Sequence, residues 1–125
     1  MSRRAQARDQ HRLLRLSEQV VDQRSFYPLF PPPPSSEAPI DLRYRKQFQF
    51  EQTPDIILLP SVLNRFCGRV KDSIVINPGQ LCKGESGGTF AHITILPLHC
   101  EKIDNAVDNS PRAVPDRTFV EIKRI

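Results

Sequence analysis

Four consecutive prolines, Pro31 to Pro34, divide the chain. Each fixes its φ angle and lacks an amide proton, so the run admits neither a helix nor a central strand and favours an extended polyproline II form. Three aromatic residues stand just before it, Phe26, Tyr27 and Phe30, and read as anchors for a rigid connector. The alternative use of such a run is as a ligand for a proline-reading domain. Twelve prolines in 125 residues predict long irregular connections and few long elements.

The prolines separate two kinds of sequence. Residues 1–8 read as a disordered, basic lead-in. Over residues 9–24, Leu13, Leu16 and Val20 recur at spacings of three and four, with Leu14 and Val21 widening the stripe, so the spacing predicts an amphipathic helix. Asp9 suits its start and Arg24 its end. Residues 25–52 form the connector, with a short helix or irregular segment over 41–50. Residues 53–125 are β-rich. Asp55 to Leu59 and Ser73 to Ile76 are short apolar runs, the pattern of strands buried on both faces. Asn77-Pro78-Gly79 is a turn, and Gly84 to Gly88 reads as a flexible loop. Thr89 to Leu96 alternates, with Ala91, Ile93 and Ile95 on one face, and Arg117 to Ile125 is a last strand with Val120 and Ile122 on one face; the two are expected to pair as a hairpin. Their connection, Leu98 to Asp116, is long, polar and expected to be mobile.

Charge narrows function less than it narrows fold. A net charge of +4 permits contact with nucleic acid or an acidic protein without requiring either. Arg3, Arg4, Arg8, Arg12, Arg15 and Arg24 crowd the first stretch; they read as a solvated face, the alternative being a phosphate-contacting patch. Cys67, Cys82 and Cys100 are an odd set without a CxxC pair, which argues against zinc and for a reducing compartment. Cys67 and Cys82 flank apolar strands and read as structural. The opening residues lack the apolar stretch of a secretory signal, and no apolar run approaches the roughly 20 residues of a membrane span.

Catalytic patterns are missing. Lys83 precedes Gly84, Gly87 and Gly88, and a strand follows, whereas a phosphate-binding loop places its lysine after the last glycine at a helix start. His11, His92 and His99 make no HxH or HExxH spacing, and His92 opposes the apolar face of its strand. The aspartates are scattered. No catalytic, metal or cofactor residue is therefore assigned.

Three segments together resemble the end of the B subunit of DNA polymerase alpha: Thr53-Pro54-Asp55-Ile56-Ile57-Leu58-Leu59-Pro60-Ser61, Val75-Ile76-Asn77-Pro78-Gly79-Gln80-Leu81, and Lys83-Gly84 with Gly87-Gly88-Thr89-Phe90-Ala91. The upstream Gln23 to Pro32 and the closing Val120 to Ile125 are similar to the same family, so the resemblance runs from about Asp9 to the end. It implies an α+β chain: the C-terminal portion of a calcineurin-like phosphoesterase β-sandwich, with an N-terminal helix and a long proline-rich connector. Active members of that fold close a metal site with a Gly-His-x-His loop after a buried strand. Here Pro60-Ser61-Val62-Leu63 stands in that place, and proline, valine and leucine offer no side-chain lone pair to a divalent ion. The Asp-x-His and Gly-Asp motifs of the other half are also missing.

The resemblance thus implies a degenerate, non-catalytic scaffold in the nucleus. Its partners would be the C-terminal module of the polymerase catalytic subunit directly, and primase and DNA through the complex, with no membrane. Phe26, Tyr27 and Phe30 are the candidate partner-binding residues, against the alternative that they pack internally. A metal-dependent phosphoesterase and a basic nucleic-acid module remain the alternative functions. The family's N-terminal region and oligonucleotide-binding fold are absent, so a truncated product or a fragment is expected, with a sheet face or edge left uncovered.

Overall fold

The computed structural model describes residues 3–27, 41–98 and 113–125, with side chains from residue 10 onward. The polyproline run, Phe30 and most of the 98–116 connection lie outside the described residues. Within them the chain is α+β: one long helix, three small sheets and two 3-10 turns.

Helix α1 spans Arg3–Asp22 and so begins six residues ahead of Asp9. Arg3 to Arg8 contains no glycine, proline or β-branched residue, and nothing local stops the helix from extending. Its buried stripe is also rotated from the expected one. Ser17 and Val21 are buried, Leu13 and Leu14 pack against the core, and Leu16 is exposed. Ser17 can occupy the interior because its hydroxyl donates to the Leu13 carbonyl oxygen at 2.9 Å, which leaves no polar atom orphaned. The helix ends in a Schellman-type cap: Arg24 is left-handed (φ 47°), Arg24 N–H donates to Val21 O at 3.3 Å and Ser25 N–H to Val20 O at 3.2 Å. A Lys71–Asp22 ion pair ties this end to the sheet.

The central sheet has the order β1 (Ile56–Leu58), β3 (Ser73–Asn77), β2 (Phe66–Val70). β1 runs parallel to β3, with Ile57 opposite Val75; β2 runs antiparallel, with Gly68 opposite Val75. Every residue of β3 is buried, as its apolar run predicts. β1 departs from the same expectation. Only Ile57 is buried, and Leu58 is 55% exposed, because β1 is an edge strand with one covered face. The core joins Val21, Ile57, Phe66, Val70 and Val75, with Leu13, Leu14 and Leu59 against it. α1 lies on β2, where Gly68 admits the Leu14 side chain: a Cβ on Gly68 would stand 2.6 Å from Leu14 Cδ1.

Past the core, Gly84 to Gly88 is not an open loop. Cys82–Lys83 (β4) and Ser86–Gly87 (β5) pair around a Gly84-Glu85 turn, which Gly84 permits with a φ of 62°. Cys82 is exposed on β4, contrary to a structural role, while Cys67 is half-buried. β6 (Thr89–Ile95) and β7 (Thr118–Arg124) form the expected antiparallel hairpin, with Ala91 opposite Ile122 and Ile93 opposite Val120. On its other face His92, Glu121 and Lys123 are exposed, and the Glu121 carboxyl is held below its usual range by hydrogen bonding and charge from Lys123, then by His92. A 3-10 turn, Val114–Arg117, buries Pro115 and brings Asp116 to Arg69.

Ile76 is fully buried and Leu58 is exposed. Ile76→Ala is expected to lower unfolding free energy by about 2–5 kcal/mol, and Leu58→Ala by less than about 1 kcal/mol, in urea titrations followed by circular dichroism.

Candidate functional site

The best-defined site grows from one side chain. Asn77 closes β3 and is completely buried, so its amide must be satisfied by protein. Its Oδ1 accepts from Gly79 N–H at 2.9 Å and from Ser61 N–H at 3.3 Å. Its Nδ2 lies 2.9 Å from Ser61 Oγ, 3.3 Å from Asn64 O and 3.4 Å from Leu63 O, donating into the loop after β1. One amide therefore holds two segments that are distant in sequence, the Ser61–Asn64 loop and the Pro78-Gly79 turn. Gly79 needs its freedom here, with φ at 79° and the Thr89 hydroxyl where a Cβ would sit. That hydroxyl donates to Pro78 O at 2.7 Å.

The pinned loop and turn wall a cleft of about 480 Å³, which the β4–β5 hairpin and the end of β7 complete. Gly88 seats the hairpin: its N–H donates to Leu81 O at 2.8 Å, and a Cβ there would overlap the Gln80 carbonyl oxygen. Arg65, Lys83 and Arg124 line the cleft, and among the described residues no aspartate or glutamate does. None of the three makes an ion pair with the described residues, whereas Arg43, Arg69, Lys71 and Lys123 each do. Val62 and Leu63 form its apolar end, 82% and 54% exposed. Among the described residues no group of three His, Cys, Asp or Glu side chains could hold a metal ion. No described helix is long and apolar enough to cross a membrane.

The aromatic residues singled out in the sequence lie elsewhere. Phe26 packs its ring on Phe50, centroids 5.2 Å apart and tilted by 53°, and remains largely exposed. The backbones clasp there: Phe26 N–H donates to Phe48 O at 2.9 Å and Phe50 N–H to Arg24 O at 3.0 Å. The 3-10 helix Leu42–Phe48 leads into this clasp, capped by Asp41, whose carboxyl Arg43 holds below its usual range. Tyr27 is half-buried beside it, and Phe30 falls outside the described residues. Cys67, half-buried on β2, has its thiol pushed up by burial, which disfavours the nucleophilic thiolate.

Residues 1–68, more than half of the chain, match the family of the DNA polymerase alpha/epsilon B subunit. The chain belongs to this family. It is 41% identical over 99 residues to the DNA polymerase alpha B subunit of Schizosaccharomyces pombe, covering 76% of this chain and 17% of that protein. The mouse protein of the same name, from Mus musculus, is 36% identical over 85 residues, covering 66% of this chain and 14% of the relative. The Drosophila melanogaster protein of that name is 37% identical over 86 residues, covering 69% and 14%. The chain thus spans less than a fifth of the length of these relatives.

Within this family member, Asn77-Pro78-Gly79 reads from sequence only as a turn, and nothing in that reading gives the amide its role in fixing the loop after β1. An asparagine ending an apolar strand and facing inward is the available signal. The meeting of Arg65, Lys83 and Arg124 has none, since they come from three separate segments. Asn77→Ala is expected to cost about 2–3 kcal/mol by stranding buried partners. It should also raise hydrogen-exchange rates at the Ser61 and Gly79 amides while leaving those of Ile74 and Val75 slow.

Proposed function

We propose that the chain serves as a non-catalytic, scaffolding portion of the B subunit of DNA polymerase alpha, acting in the nucleus in the initiation of replication and primer synthesis. The observation that carries this reading is identity of 36–41% over 66–76% of the chain to proteins of that name from fission yeast, mouse and fly. On this reading the β1-β3-β2 sheet and the β6–β7 hairpin are pieces of a calcineurin-like sandwich, and the proline-rich segment is its connector. β1, with Leu58 exposed, forms an edge of that sheet open to pairing.

The loop after β1 supports the non-catalytic assignment. Where an active phosphoesterase would present histidines, Pro60, Ser61, Val62 and Leu63 offer a single hydroxyl, and that hydroxyl is engaged by Asn77. The partner on this reading is the C-terminal module of the polymerase catalytic subunit, with primase and DNA reached through the complex. Phe26 and Tyr27 are its candidate contacts, with Phe30; the exposed Phe26 ring, steadied by Phe50, has the character of an interface anchor.

Co-purification of the chain with that C-terminal module tests the reading. Retention is expected, with Phe26→Ala weakening it by about tenfold. A chain that does not bind the module, or that hydrolyses phosphodiesters with added manganese, contradicts the assignment.

A further inference from the structure

We propose that the Asn77-anchored cleft is a docking site for a short segment of a partner protein that carries both carboxylates and apolar side chains. The inference rests on the cleft itself and holds whichever assembly the chain serves.

Charge is the first ground. Arg65, Lys83 and Arg124 converge from the loop before β2, from β4 and from the end of β7. Among the described residues no aspartate or glutamate lines the cleft; Glu85, on the adjacent turn, stays outside it. The Ile125 backbone lies against Gly87 but makes no ion pair with the three cations. Three cations facing one hollow, with no ion-pair partner among the described residues, raise its potential and favour an anionic occupant, at a modest energy per exposed pair.

The apolar end decides what kind of anion fits. Val62 and Leu63 stand in the same cleft, exposed, on a backbone held from beneath by Asn77. Apolar contacts on a fixed backbone lose little entropy on binding, so they are suited to act as anchors beside a charged rim. A sugar–phosphate backbone has no use for them. Single-stranded nucleic acid is gripped by stacking bases on aromatic rings, and none of the described residues lining this cleft is aromatic. A polypeptide segment with alternating acidic and apolar side chains meets both ends at once. Gln80 and Ser86 add polar residues to the lining.

Fluorescence anisotropy with a labelled peptide of repeating Asp-Asp-Leu tests this on the full chain, with oligothymidylate of similar length as the competing probe. The peptide is expected to bind. Affinity should fall about tenfold in the triple variant Arg65→Gln, Lys83→Gln, Arg124→Gln, and also in the double variant Val62→Ser, Leu63→Ser. All five positions are exposed, so circular dichroism should remain unchanged. Three results overturn the proposal. The peptide fails to bind, its binding is indifferent to either variant, or oligothymidylate binds through the three cations and displaces it.

Discussion

A single buried amide, that of Asn77, governs how the sheet meets everything beyond it. The side chain is shut away from water, and an unsatisfied amide there would cost more than any one surface contact contributes. Its oxygen is engaged by Gly79 and Ser61 and its nitrogen by Ser61, Leu63 and Asn64. Because these partners belong to two chain segments, satisfying the amide fixes both. The end of β3 therefore sets the shape of the loop after β1, the direction of the chain into β4, and the cleft between them.

Elements whose apolar pattern is carried by neighbouring residues are legible in the sequence. β3 shows itself as an apolar run, and the β6–β7 pairing follows from the alternation of Ala91, Ile93, Val120 and Ile122. β2 escapes a sequence reading because Gly68 and Arg69 interrupt its apolar character; Gly68 is there to accept Leu14 of the helix, a requirement visible only once the helix is in place. The helix is legible but its inner face is not, since Ser17 counts as polar until its hydroxyl is seen bonded to Leu13. β1 looks as buried as β3 in sequence. Pattern reports apolar character and cannot distinguish a strand covered on both faces from one covered on a single face. The cleft is illegible for a related reason: Lys83 and Arg124 lie far apart along the chain, and only the folded hairpins bring them together.

Family membership and the physical state of the surface point the same way. The chain spans less than a fifth of the length of these relatives and leaves Leu58, Val62, Leu63 and Leu81 exposed, apolar side chains of the kind that line contacts with other polypeptides. The loop after β1 is tied down by its hydrogen bonds to Asn77 and shows Val62 and Leu63 outward. Exposed aliphatic side chains on a fixed backbone are suited to contact with another polypeptide.

The most direct test of this account is nuclear magnetic resonance of the Asn77 side-chain amide. If that amide anchors the loop and the turn, its two protons will be resolved, slow to exchange with solvent, and close in space to Ser61 and Leu63. Rapidly exchanging, averaged protons without those contacts would contradict it, because the loop and the turn would then have no common support.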